Sequence, residues 1–136
     1  MQIREARIGD GKAIATLLAA LDYPTTEGFI ESKIEQQLKH HDARLLVAIE
    51  GGEILGFVSL HFIPQLALPG DFCRISYFCV GEASRSRGVG ARLEEAAVAL
   101  ARERSCDRIR LTAMRDERVL TGSTSGRATP SLRNTC

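Results

Sequence analysis

The sequence predicts one mixed α/β domain built around a single sheet, and three patterns support this fold class. Apolar residues recur at helical spacing near the N-terminus. Two β-rich runs flank a Gly-Gly pair at positions 51–52. A glycine-rich loop then joins a further β-rich run to a long amphipathic segment. The predicted element order is β-α-α-β-β-β-α-β, and 136 residues suit one domain with a sizeable core.

A strand and two helices are predicted for the N-terminal part. The stretch "IREARI" alternates apolar and polar residues, which indicates a strand over residues 3–8. Asp10 is placed to cap the helix that follows. The apolar face of this first helix carries Ile14, Leu17, Leu18 and Leu21, and that of the second carries Ile30, Ile34 and Leu38. We expect both faces to pack into the core.

The middle of the chain predicts a hairpin, a third strand, a helix and a last strand. Glycines 51 and 52 supply the positive φ of a tight hairpin turn between "ARLLVAIE" and "EILGFVSLHFI". After the loop "PQLALPG", residues 72–80 form a β-rich run, and residues 107–113 form the last strand. The helix between these strands has an apolar face made of Val89, Leu93, Ala96, Ala97 and Leu100.

Bulk composition limits the classes of partner. With 44% hydrophobic and 26% charged residues and a net charge of +1, no strong field favours nucleic acid or an anionic membrane. Apolar runs are shorter than the roughly 20 residues of a membrane helix, and the N-terminus lacks a hydrophobic signal core. We therefore expect a cytoplasmic protein with neither a nucleic-acid nor a membrane partner.

The cysteines and histidines do not have metal-ligand spacing, so no metal is expected. We interpret Cys73, Cys79, Cys106 and Cys136 as reduced thiols, with a zinc site or a disulfide framework as the less favoured alternatives. His40 and His41 are expected to act as cations at a helix end. His61 lies in an apolar strand and is interpreted as structural.

The segment "YFCVGEASRSRGVGARLEEA", residues 77–96, predicts an anion site. A strand leads through a polar loop directly into a helix, whose N-terminal amides attract anions. Gly88 and Gly90 let the backbone approach a bulky ligand, and Arg85 and Arg87 add charges that suit phosphate. A P-loop is excluded because no Gly-Lys-Ser/Thr occurs, and a dinucleotide fingerprint would need glycine where Leu93 stands.

The remaining pattern, [QR]-x-x-G-x-[GA] in "RSRGVG", resembles the signature of the GNAT family of N-acetyltransferases. The resemblance covers residues 3–112 and implies the acyl-CoA N-acyltransferase fold. In that family the signature binds the pyrophosphate of acetyl-CoA, and pantetheine lies where the signature strand splays from the next strand, here near residues 108–111. The implied contacts are Phe78, Cys79 and Val80 for pantetheine, and Arg85, Ser86, Arg87, Gly88, Val89, Gly90 and Ala91 for phosphate.

The resemblance also implies an activity, transfer of acetyl from acetyl-CoA to a primary amine of a small molecule or peptide. It does not identify a catalytic residue. Glu27 and Glu31 lie near the usual acceptor side, but surface solvation is the favoured role of both. Two alternatives remain, a CoA-binding module without catalysis and an oligomerising interaction protein whose glycine-rich turn is only structural.

The C-terminal segment departs from the family pattern. Residues 1–113 correspond to an incomplete domain, and residues 114–136 predict an irregular tail instead of a helix containing a tyrosine and two strands. Read two nucleotides forward from Ala113, the codons can spell a segment containing Arg-Phe-Tyr-Glu-Arg, which resembles the missing part. We therefore expect a frameshifted tail, with a native shortened tail as the alternative. An uncovered strand edge would favour a homodimer, with or without exchange of elements.

Overall fold

The computed structural model describes residues 1–112 and the backbone of residues 117–120. The strands are β1 Gln2–Glu5, β2 Ala43–Glu50, β3 Glu53–Pro64, β4 Asp71–Val80, β5 Cys106–Thr112 and β6 Glu117–Leu120. The helices are α1 Gly11–Ala20, α2 Ile30–Lys39 and α3 Val89–Glu103, with short 3-10 turns at Ile8–Asp10 and Glu82–Arg87. Through β5 this is the predicted element order.

The strands form one sheet in sequence order, β1 to β6. Neighbouring strands are antiparallel except β4 and β5, which are parallel and joined by the crossover helix α3. A parallel pair requires such a crossover, so the long helix after β4 determines this point of the topology. The mixed α/β class with a central sheet is confirmed.

The sixth strand corrects one expectation. An irregular segment was predicted from residue 114, but Glu117–Leu120 forms a strand antiparallel to β5. Composition did not indicate it, because four residues carry too little periodicity, whereas the open edge of β5 offers backbone groups that need partners. The rest of the predicted tail lies outside the described residues.

Asp10 has a different role from the predicted helix cap. Its carboxylate accepts the backbone N–H of Arg7 at 2.8 Å and both terminal guanidinium nitrogens of Arg4, at 2.9 and 3.2 Å. It makes no side-chain cap hydrogen bond to α1. β1 correspondingly ends at Glu5 rather than at residue 8, because the chain turns through Ile8–Asp10.

Apolar side chains cover both faces of the sheet. On one face α3 packs Val89, Leu93 and Ala97 against β3, β4 and β5. On the other face α1 and α2 bury the predicted residues Ile14, Leu17, Leu18, Ile30 and Ile34. Leu38, which was predicted to join them, is 38% exposed. Cys73, Cys79 and Cys106 are free thiols, and the first two are buried.

Candidate active site

A β-bulge lies at the centre of β4. Ser59 of β3 pairs with Tyr77 while the next residue, Leu60, pairs with Ile75, so Ser76 is an extra residue in β4. A bulge bends the strand and increases its twist. The bend comes at the point where β4 separates from β5, its other neighbour in the sheet.

That neighbour, β5, follows β4 only as far as the bulge. The parallel pairing runs from Asp71 to Ile75, opposite Cys106 to Leu111. In the described part of the chain, residues 76–80 of β4 have no partner on β5. The second half of β4 therefore presents backbone N–H and C=O groups to a gap, which an extended ligand can pair with as an added strand would.

The N-terminus of α3 lies against the end of β4. The chain leaves Val80, passes through the 3-10 turn Glu82–Arg87, and enters α3 after Gly88, whose φ is +76°. A Cβ at Gly90 would lie 3.7 Å from side-chain atoms of both Phe78 and Val80. The unpaired amides of the first helical turn thus lie next to the open gap of β4.

The side chains of the three residues predicted to contact pantetheine pack on opposite faces of the sheet. Phe78 and Val80 pack partly against the α3-side core, whereas the Cys79 thiol is buried on the opposite face and donates to the Leu17 carbonyl at 3.4 Å. Burial raises the pKa of Cys79, so this residue offers a ligand its backbone and no reactive thiolate.

The two predicted phosphate-binding arginines are exposed at the surface. Arg87 forms an ion pair with Glu50 at the end of β2. The side chain of Ser86 lies outside what the structure describes. A Cβ at Gly88 would meet no atom within 4 Å, so there is open room beside the helix N-terminus.

Two adjoining cavities lie on the other face of the sheet, and residues of α1 and α2 line the smaller one. The outer cavity has a volume of about 630 Å³, and the inner cavity about 280 Å³. Tyr23 and Tyr77 line both, and their rings meet edge-to-face at 5.4 Å between centroids. The outer cavity is further lined by His40, Asp42, His61, Phe62, Ile63, Pro64, Arg74 and Ser76.

The inner cavity is mainly apolar. Ile14, Leu18, Ile30, Ile34 and Phe57 form its walls together with Leu45 and the exposed Phe29. Polar side chains interrupt this lining, namely those of Tyr23, Thr26, Lys33, Gln37, Ser59 and Tyr77. Ser59 Oγ donates to Gln37 Oε1 at 3.1 Å, whereas Thr26 Oγ1 is buried and has no hydrogen-bond partner in the described part of the chain.

His61 and Ser76 form a polar pair in the outer cavity. Their Nδ1 and Oγ atoms lie 3.0 Å apart, across the β3–β4 pair. Burial lowers the pKa of His61, and the positive charges of Arg74 and His40 lower it further. His61 was interpreted as structural because the sequence shows only a histidine in an apolar strand; the bulge that brings Ser76 to it leaves no sequence signal.

Glu27 and Glu31 are exposed, and neither is among the described residues that line the two cavities. Glu31 lies instead beside Gly11 of α1. A Cβ atom added to Gly11 would lie 2.9 Å from Cγ of Glu31. These positions agree with the solvated role favoured for both carboxylates.

The described ranges of the chain are residues 1–112 and 117–120. They contain no group of three or more His, Cys, Asp or Glu side chains able to hold a metal ion. None of the helices there is both long and apolar enough to cross a membrane.

The fold and the gap define the class of this protein. Residues 10–120 match the acetyltransferase (GNAT) family, and the chain belongs to that family. It is therefore an acyltransferase by fold and family, as the "RSRGVG" resemblance predicted.

Relatives and solved structures agree with this assignment. The chain is 31% identical over 106 residues to an uncharacterized N-acetyltransferase of Bacillus subtilis, covering 71% of this chain and 68% of that protein. A transcriptional regulator from Bacillus halodurans superimposes with a TM-score of 0.77 at 28% identity, covering 84% of this chain and 82% of that one. Glucosamine-6-phosphate N-acetyltransferase from Arabidopsis thaliana shares the fold, with a TM-score of 0.74, 19% identity, and coverage of 84% and 82%.

Proposed function

We propose that this chain transfers an acetyl group from acetyl-CoA to a primary amine of a small molecule or peptide. The observation that carries the proposal is the gap beside residues 76–80 of β4 with the N-terminus of α3 at its end. The amine nitrogen attacks the thioester carbonyl carbon, the C–N bond forms, and the C–S bond breaks. The amine loses a proton, and the sulfur leaves as the CoA thiolate and takes one up.

Acetyl-CoA would bind along this gap. Pantetheine would pair with the backbone of Phe78, Cys79 and Val80, while the pyrophosphate would accept hydrogen bonds from amides at the start of α3. The open space at Gly88 suits the approach of a phosphate, and exposed Arg85 lies close enough to Cys79 to influence its pKa. The proposed phosphate-binding residues are Arg85, Ser86, Arg87, Gly88, Val89, Gly90 and Ala91.

Most of the rate acceleration would come from geometry. Binding the thioester beside a cavity that holds the amine converts a bimolecular reaction into one between neighbours. An amide of the unpaired half of β4 can donate to the carbonyl oxygen as negative charge develops there. The pairing of β4 with β5 ends at Ile75, next to the bulge at Ser76. The backbone amides that follow are therefore available to donate to substrate.

The lining of the two cavities favours an acceptor with an apolar group and a single amine. The inner cavity would hold the apolar group, since its walls are mostly aliphatic and aromatic. The outer cavity carries Arg74, His40 and His61. Among the described residues its one carboxylate is Asp42, which accepts a hydrogen bond from Arg104 at 2.6 Å. A polyamine would find little negative charge there to hold its further ammonium groups.

The test combines binding and turnover. We expect CoA to raise the melting temperature, and acetyl-CoA with phenethylamine to release free thiol faster than acetyl-CoA with spermidine. Arg85→Glu should weaken CoA binding about tenfold or more, since charge-assisted contacts to phosphate are strong. Lys12→Glu is the matched control, because it makes the same charge change at an exposed site on α1.

The outcomes separate the candidate functions. CoA binding without thiol release from any amine would favour the non-catalytic CoA-binding module. Failure of high CoA concentrations to change the melting temperature would favour the interaction protein and contradict the acetyltransferase proposal. Greater thiol release with spermidine than with phenethylamine would contradict the proposed acceptor class only.

We also propose a homodimer. Described residues with large exposed apolar side chains include Leu66 and Leu68 in the loop between β3 and β4, and Leu66 is fully exposed. Such side chains are stabilised when a second copy covers them. Light scattering should give twice the mass of the chain, and a monomer across the accessible concentration range would contradict the proposal.

A further inference from the structure

The pair of His61 and Ser76 depends on a local irregularity of the sheet. In the register, His61 lies opposite Arg74, and Ser76 is the unpaired residue of the bulge. The extra residue changes which side chains of β4 face α1 and α2, and brings Ser76 Oγ within 3.0 Å of His61 Nδ1. A hydroxyl and an imidazole are thereby placed in the wall of the outer cavity.

The surroundings favour the neutral form of the His61 imidazole. Partial burial lowers the pKa of His61 most, and Arg74 on β4 and His40 after α2 lower it further. Asp42 lies in the same cavity, but its carboxylate is bound to Arg104. Tyr23 and Tyr77 are the remaining titratable side chains among the described residues lining this cavity, and Lys33 of α2 lines a smaller cavity together with His40 and His61. A neutral imidazole in contact with a hydroxyl can accept a proton through it.

We propose that His61 and Ser76 form the proton acceptor of the reaction, with Ser76 Oγ contacting the incoming amine and His61 acting as the base behind it. The proposal rests on the proposed acetyl transfer and adds the catalytic pair to it.

The proton moves in a balanced relay. As the amine nitrogen bonds to the carbonyl carbon, an N–H proton passes to Ser76 Oγ, and the Ser76 hydroxyl proton passes to His61 Nδ1. The C–S bond then breaks and the thiolate leaves. The imidazolium loses its proton to water through the open side of the outer cavity, which restores the pair.

Other groups on this face are less suited to the role. The backbone N–H of Asp42 donates to His40 Nδ1 at 3.2 Å, and the His40 side chain is exposed. The hydrogen bond from Arg104 lowers the pKa of Asp42, which makes that carboxylate a weak base.

The experiment compares His61→Gln, Ser76→Ala and the control His41→Gln, which alters an exposed histidine that is not among the described residues lining either cavity. With phenethylamine and acetyl-CoA we expect His61→Gln to lose about 100-fold in kcat/KM, in line with general-base catalysis. Ser76→Ala should lose less, because a water can replace the hydroxyl. His41→Gln should stay within about twofold, and CoA affinity should be unchanged in all three.

The pH dependence of kcat/KM distinguishes a catalytic role of His61 from a structural one. Below the pKa of His61, the wild-type kcat/KM should fall more steeply than ionisation of the amine alone requires, and His61→Gln should lose this extra slope. If His61→Gln keeps both the slope and a rate near wild type, the proposal is overturned. A stable acetyl group on Ser76, found by mass spectrometry, would make Ser76 a nucleophile and overturn the relay.

A second readout needs no turnover. Nitrogen NMR of the imidazoles should show His61 neutral at about pH 7, with its titration changed by Ser76→Ala and unchanged by the control His41→Gln. A protonated His61 at that pH overturns the pair as proton acceptor. By contrast, wild-type protein that binds CoA but acetylates no amine overturns the proposed function, so the two failures are distinguishable.

Discussion

A methyl group on Gly56 would lie 2.7 Å from the carbonyl oxygen of Cys79, so β3 and β4 meet there with no room for a side chain. The same methyl would lie 3.3 Å from Leu93 of α3. The absence of a side chain at Gly56 lets Leu93 pack closely on the sheet, and the N-terminus of α3 lies beside the open half of β4.

Gly56→Ala should therefore destabilise the fold and weaken CoA binding together. Overpacking a well-packed core costs about 1–3 kcal/mol, and here the contact is with backbone that cannot rotate away. Urea unfolding measures the free energy change, and calorimetry measures the CoA affinity. Gly9→Ala is the control, since its Cβ would meet nothing within 4 Å. Equal stability of the two variants would contradict the role of Gly56.

Asp10→Asn should lower the free energy of unfolding by about 2 kcal/mol near neutral pH, through loss of charge-assisted hydrogen bonds. Arg4 lowers the pKa of Asp10. The wild-type carboxylate therefore stabilises the fold fully above its unfolded pKa of about 4, and the contribution disappears as pH falls through the lower folded pKa. Urea unfolding across this range should show the two proteins converging in acid. A difference independent of pH would contradict the ion pair as the cause.

The buried thiols should resist alkylation in the folded protein. Burial raises the pKa of Cys73 to about 12, and it also raises that of Cys79. At about pH 8 the thiolate fraction of Cys73 is then on the order of one in ten thousand. Iodoacetamide followed by peptide mass spectrometry should label both residues only after unfolding in guanidinium. Rapid labelling of Cys73 in the native state would show that the α3-side core opens.

The frameshift proposal predicts the nucleotide sequence of the gene. Read two nucleotides forward from codon 113, it should spell a helix-forming segment containing a tyrosine without a stop codon. Sequencing this region of the gene measures it directly. If confirmed, the chain rebuilt in that frame should turn over faster than the present one. Stop codons in that frame would show instead that the present tail is native.

Much of the fold could be predicted because it depends on local patterns. The apolar spacing of Ile14, Leu17 and Leu18 gave α1, and the Gly51–Gly52 turn gave the β2–β3 hairpin. The pattern of Arg85, Gly88 and Gly90 between a strand and a helix indicated the family, because a strand-to-helix anion site needs glycine and positive charge next to one another in sequence. β6 was not predicted, because its strand conformation depends on pairing with β5 and not on a pattern within its own four residues.

The sequence by itself determined the mixed α/β class, the family and the position of the proposed CoA-binding loop, since each follows from residues close together along the chain. Only the tertiary structure decided where β4 leaves β5, that Ser76 is a bulge, and that this serine contacts His61. Those two residues are fifteen positions apart and on different strands. Their contact depends on strand register, which is set by packing of the whole sheet and leaves no periodic signal in either strand.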